Sequence, residues 1–202
     1  MTFIICNFKH CMKNYYRIIL GRKHESFDEA KKGNFVGISF LEKIDFSNEL
    51  MTYTEFSTKF VPTYLELYPN APKPAAALAS GMLWRFVNLL QIGDIVFCPD
   101  GKGSYHVGEI SSNYQYRKDS SLPHSREVTW NSKTLPRTEM SKQLRNSLGS
   151  VLTLITINEK SNEIESLLSN SRPNMISVSD ETVENVSEFA LEEQLEDFLI
   201  EN

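Results

Sequence analysis

The segment at residues 93–110, GDIVFCPDGKGSYHVGEI, constrains the fold most tightly. Two β-prone runs, Ile95 to Cys98 and Tyr105 to Ile110, flank Pro99-Asp100-Gly101-Lys102-Gly103. Proline presets one turn dihedral there and glycine accepts positive φ, so a hairpin follows. Beyond it, Tyr114 and Tyr116 stand two apart, as do Arg126, Val128 and Trp130. In extended chain each set points to one face. Aromatic and basic side chains are therefore expected to collect at one edge of a small sheet.

The rest of the chain supplies partners for that hairpin. Residues 15–20 (YYRIIL) and 34–40 (NFVGISF) read as strands, with Gly37 marking a bulge or a place where a ligand or backbone comes close. Residues 151–157 (VLTLITI) are apolar on both faces, which predicts a central strand. Residues 26–32 read as a short helix with Ser26 as N-cap, Glu29 at the capping-box position and Gly33 as a stop. Residues 46–68 place Leu50, Tyr53, Phe56, Phe60 and Tyr64 on one helical stripe, which Pro62 is expected to break in two. Residues 75–90 (AAALASGMLWRFVNLL) are apolar nearly all round, the mark of a buried helix, which favours Trp84 as core, while its place just before the hairpin keeps a ligand cage open. A helix capped by Thr138 carries Met140, Leu144 and Leu148, and another begins at Asn162 with Glu165 at N3.

These elements predict an α+β domain built on a small, strongly curved sheet or half-barrel with flanking helices. Its expected span is 12–168. Residues 1–11 read as an unpacked extension before Met12, 169–186 as a polar linker, and 187–202 as an acidic helix with the stripe Leu191, Leu195, Phe198 and Leu199.

Composition narrows the class. Hydrophobic content of 41% with 23% charged residues suits a soluble globular protein. No apolar run is long enough to span a bilayer, and the start lacks the marks of a signal peptide. Cys6, Cys11 and Cys98 are odd in number, which argues against a disulfide framework and for a reducing, cytoplasmic compartment. The net charge of −5 hides an asymmetry: residues 1–158 hold 19 basic against 14 acidic groups, and residues 159–202 hold 2 against 12. A nucleic-acid surface on the basic body and an evenly solvated surface are both compatible with that distribution.

Motifs for catalysis are scarce. His10 between Cys6 and Cys11 has no second ligand pair at zinc-finger spacing, and Gly101-Lys102-Gly103 lacks the Walker pattern. Asp100 and Glu109 invite comparison with the acidic pair of a Mg²⁺-dependent nuclease, but the expected Glu-x-Lys is absent, and a turn Asp with a surface strand Glu explains them equally well. His106 and His124 have no Ser or Cys nucleophile at an obvious spacing. No catalytic residue and no metal ligand is assigned in this chain.

The segments YYRIILG, FVGISF, LWRFVNLLQIGDIVFCPDGKGSYHVGEISSNYQY, LPHSREVTW and LPRTEMSKQLRNSLGSVLTLITI resemble the N-terminal domain of a bacterial, broadly Mrr-like restriction endonuclease family. That domain is similar to the PUA-like fold of EVE and YTH domains. The resemblance covers roughly residues 15–168. The last segment, FALEEQLEDFLIEN, resembles the opening helix of the PD-(D/E)XK nuclease domain that follows in such proteins, whose acids, lysine and Mg²⁺ would lie beyond Asn202.

The resemblance implies a reading head for double-stranded DNA carrying a methylated or otherwise modified base, with no cofactor of its own. A flipped base buries its flat π-face between aromatic rings while polar groups read its edge, and lysines and arginines hold phosphates. FVGISF matches the EVE pattern Trp-x-Gly-Val-Arg-Asn with Phe35 at the aromatic and Gly37-Ile38 at Gly-Val, but Ser39-Phe40 replaces Arg-Asn. The implied base pocket is Phe35, Ser39, Phe40, Tyr105, Tyr114, Tyr116 and Trp130. The implied phosphate contacts are Arg17, Lys102, Arg117, Lys118, Arg126 and Arg137. An RNA- or protein-binding PUA-like module and a small self-contained nuclease using Asp100 and Glu109 stand as alternatives. For the last helix, a homodimer contact and packing back onto the body are both open.

Overall fold

The hairpin buries both of its faces, and the molecule has a core on each side as a result. The computed structural model describes residues 13–49 and 51–169. In chain order its elements are β1 (Tyr15–Ile18), α1 (Phe27–Gly33), β2 (Phe35–Ile38), α2 (Tyr53–Leu67), α3 (Lys73–Trp84), β3 (Ile95–Pro99), β4 (Ser104–Ile110), β5 (Gln115–Tyr116), β6 (His124–Pro136), α4 (Lys142–Leu148), β7 (Leu154–Thr156) and α5 (Ser161–Leu168). The expected extension at 1–11, nearly all of the linker and the acidic helix lie outside the described residues. Among the described residues no helix is long and apolar enough to cross a membrane.

Seven strands form one mixed, strongly curled half-barrel sheet in the order β2-β6-β4-β3-β1-β7, with β5 paired to β6 beside that path. β1 runs parallel to β3 with Tyr16 opposite Val96, and every other pairing is antiparallel. The predicted α+β curved sheet with flanking helices is thus the observed fold. Alternation divides its side chains. Tyr16, Ile18, Val96, Cys98, Ile110 and Val128 enter one core with Phe56, Phe60, Leu83 and Phe86 of the helices. Tyr15, Ile95, Phe97, Tyr105, Val107 and Ile155 enter the other with Leu144, Leu148 and Ile164. Each such aliphatic or aromatic side chain removed from water contributes about 1.5–3 kcal/mol.

β7 is an edge strand, not the central one its composition suggested. Its Leu154 and Ile155 serve opposite cores, so both faces are apolar without a second neighbouring strand. Pro62 does not break α2, which runs on to Leu67. Thr58 and Pro62 are both exposed, so the carbonyl deprived of its N–H partner faces water. The helix begins later than expected, at a capping box in which Thr52 and Glu55 exchange backbone hydrogen bonds. Ser141 rather than Thr138 caps α4, and Glu163 of α5 accepts from its N–H and hydroxyl.

Two glycines set close approaches. A Cβ on Gly37 would stand 2.6 Å from the His124 carbonyl oxygen, which explains a glycine inside β2 as room for neighbouring backbone. One on Gly108 would stand 2.4 Å from Val128 Cγ2 and 3.0 Å from the Trp130 ring. A bulge in the β4–β6 ladder lies at this place, between His106 and Gly108.

Candidate ligand pocket beside Tyr114

Period-two spacing across the entry into β5 sends Tyr114 and Tyr116 to the same side, against His124 at the start of β6. The His124 ring is fully buried between them and Phe46, whose centroid is 5.2 Å away. Tyr114 Oη lies 2.9 Å from His124 Nδ1 and accepts the Phe46 N–H at 3.3 Å. Tyr116 donates to the Glu42 carbonyl at 2.8 Å. The two phenols thereby hold the loop that follows β2. Burial depresses the His124 pKa to about 4, against a weaker opposite pull from the backbone of Phe40 and Leu41. A neutral imidazole at neutral pH is the consequence, with Nδ1 free to accept the Tyr114 proton.

Tyr114 also walls a cavity of about 530 Å³, within the roughly 300–1,000 Å³ of small-molecule sites. Phe46, Val87 and Leu90 complete its apolar wall, and Glu49, Gln91 and Ile92 stand among its lining residues. The helical segment after α3 makes this shape. Residues Arg85–Leu89 form a π turn, in which the Leu90 N–H reaches back to the Arg85 carbonyl at 3.2 Å. Such widened turns are frequent at functional sites. Here it puts Val87 and Asn88 into the cavity lining and presents the Phe86 and Val87 carbonyls to Arg126.

Arg126 lies in the cavity lining with 3% of its surface exposed. It donates through Nε to Phe86 O at 3.1 Å, through one terminal nitrogen to Val87 O at 2.8 Å, and through the other to Ser112 O at 3.3 Å. Among the described residues no carboxylate comes within ion-pair distance of it. Asp94 adds only a field. Burial lowers the Arg126 pKa to about 10, which still leaves the guanidinium charged at neutral pH. The cavity therefore has aromatic and aliphatic walls and one buried cation.

Residues 16–159 match the family described as Domain of unknown function (DUF8426), about seven-tenths of the chain. The chain belongs to the DUF8426 family. No curated protein matches its sequence. The DUF8426 span runs from the second residue of β1 through the edge strand β7, so it contains every strand pairing but that of Tyr15 with Ile95, and the whole cavity.

Within this DUF8426 domain the residues expected to form a base pocket divide. Tyr114 lines the cavity, whereas the half-buried Tyr116 and Phe40 and the exposed Ser39 are outside its lining. Phe35 is buried, with the Arg117 guanidinium 4.6 Å from its ring centre, so its faces are taken. Tyr105 is buried in the second core, on the opposite face of the sheet, and its hydroxyl pairs with Leu148 O and Arg137. It cannot join Tyr114. Trp130 is half-buried against Gly108 with Lys31 Nζ 4.5 Å above the ring. It stands four residues, or about 13 Å, along β6 from Arg126, outside the cavity lining.

The expected phosphate contacts divide in the same way. Arg17 is fully buried and donates to the Leu152 and Ser150 carbonyls, so it serves the fold. Arg126 is the buried cation of the cavity, and Arg137 is half-buried with Tyr105 Oη and Arg145 O as acceptors. Lys102 at the β3–β4 hairpin and Lys118 after β5 are exposed, and Arg117 is partly so. Asp100 accepts the N–H groups of Lys102 at 2.7 Å and Ser104 at 3.1 Å, which is the work of a turn residue. Glu109 pairs at the far end of the hairpin, opposite Ile95, about 13 Å along β4 from the Tyr105–Pro99 pair next to Asp100. The two carboxylates do not share a site. Sequence reasoning missed Glu49, Asn88 and Gln91. For Asn88 and Gln91 the signal was present as polar residues interrupting or following the apolar run at 75–90, whereas Glu49 had none.

Proposed function

We propose that this DUF8426 domain is a DNA-reading module that recognises a modified base and belongs to a modification-dependent, Mrr-like restriction endonuclease of PUA-like type. The observation that carries the reading is the cavity beside Tyr114, large enough for a base and with the buried Arg126 among its lining residues. An extruded base needs a π-wall and polar groups at its edge, and Tyr114 with Phe46 and Arg126 are of those kinds. The exposed Lys102 and Lys118 suit phosphate contacts that add affinity without sequence information. The curled sheet with flanking helices is compatible with the PUA-like architecture. Cytoplasmic location follows from that role, and cleavage with Mg²⁺ belongs in this proposal to a nuclease domain outside the described residues.

Fluorescence anisotropy with matched duplexes, unmodified or carrying one methylated or hydroxymethylated base, at two salt concentrations tests this reading. Tenfold or tighter binding to one modified duplex that persists at the higher salt is expected. Equal, salt-sensitive binding to all duplexes reduces the domain to a basic surface. Stronger binding to single-stranded RNA of matched length moves it to the RNA-binding class.

A further inference from the structure

The polar groups around the cavity differ in sign, and that difference selects among bases. A guanidinium carries five N–H donors, and Arg126 spends three on backbone carbonyls. Two N–H remain on a cation with no carboxylate in ion-pair contact among the described residues. A buried positive charge with spare donors is best matched by a carbonyl oxygen. Among the described residues the one carboxylate lining the same cavity is Glu49, whose side chain keeps a quarter of its surface exposed and is held by Lys59 at 2.9 Å. Its remaining lone pairs accept from an amine. Asn88 donates one amide hydrogen to Trp84 O at 3.2 Å, which ties it to the helix backbone.

We infer that this cavity takes a base carrying both a ring carbonyl and an exocyclic amine, the cytosine or guanine class, with the carbonyl toward Arg126 and the amine toward Glu49. The inference rests on the DNA-reading function proposed above. Thymine and uracil lack the amine and offer Glu49, already held by Lys59, no exocyclic donor, while adenine lacks the carbonyl and would leave Arg126 facing a weaker acceptor. A buried donor left with a poorer acceptor, as Arg126 would be with adenine, discriminates more strongly than a missing methyl group.

The test uses the full chain and duplexes differing at one position: 5-methylcytosine, 5-hydroxymethylcytosine, 8-oxoguanine, N6-methyladenine or 5-hydroxymethyluracil. Arg126→Lys removes carbonyl clasps and so probes folding as much as binding. Glu49→Ala, on the more exposed side chain, therefore carries the experiment, with thermal melting as its folding control. The expected result is tightest binding to a modified cytosine or guanine duplex, and at least a tenfold loss of that affinity in Glu49→Ala with less than a twofold change on the 5-hydroxymethyluracil duplex, whose base has no exocyclic amine. The two base-class arms identify which of the pair is read. Tightest binding to the adenine or uracil duplex, or Glu49→Ala equal to wild type on the preferred duplex, overturns the inference while leaving DNA reading intact. No preference for any modified duplex overturns both.

Discussion

Tyr114 Oη and His124 Nδ1 lie 2.9 Å apart, and the same hydroxyl accepts the Phe46 N–H at 3.3 Å. One phenol thus serves a buried ring, a loop backbone and the wall of the cavity. Tyr114→Phe keeps the ring and strands two partly buried polar groups, each worth about 1–3 kcal/mol when left without a partner. The variant is expected to lose about 2 kcal/mol in urea denaturation and to keep the wild-type m value.

The buried His124 makes stability depend on pH. Its pKa falls from 6.5 unfolded to about 4 folded, so the unfolded chain binds the proton more tightly. The contribution is complete above pH 6.5 and is lost as pH falls toward 4, about 3 kcal/mol in all and most of it by pH 4.5. His106, also lowered chiefly by burial, adds in the same direction. Urea midpoints at pH 7 and 4.5 for wild type and His124→Gln check this. The pH-dependent loss should be smaller in the variant by most of that amount.

Much of this architecture was legible in the residues themselves. Pro99 to Gly103 between two apolar runs announced the hairpin, and the hairpin does occupy the middle of the sheet. Spacing placed Tyr114 and Tyr116 together, because a period of two needs no tertiary information. Burial was harder to foresee. Arg17 and Arg126 look like surface cations in the sequence, yet each satisfies its charge on backbone carbonyls contributed by distant segments. The same limit applied to β7, where a doubly apolar strand signals two cores and says nothing of neighbours. The π turn at Arg85–Leu89 has no sequence signature that distinguishes it from a continuing α-helix.

Gly37 tests the close approach of β2 to β6. An added methyl would meet the His124 carbonyl at 2.6 Å, and backbone there is held by ladder pairing on both sides. Gly37→Ala is expected to cost at least about 2 kcal/mol, within or beyond the usual range for overpacking. Because the displaced strand carries His124, near-ultraviolet circular dichroism should also change at the tyrosine bands.

The exposed cations and the cavity make separable contributions to binding in the proposed reading. Lys102→Glu with Lys118→Glu should weaken modified and unmodified duplexes by the same factor, because phosphates carry no base information. The slope of log affinity against log salt should become shallower by about 0.9 for each phosphate that is no longer neutralised. Tyr116→Ala acts on the other term: its half-buried ring packs on His124, which in turn packs on the cavity residues Phe46 and Tyr114, and its hydroxyl holds Glu42 O. That variant should lower affinity for the preferred modified duplex about tenfold and leave the salt slope unchanged. A matched salt titration of the three proteins separates the two, and a shallower slope in Tyr116→Ala would show that the aromatic edge acts through the phosphate backbone instead.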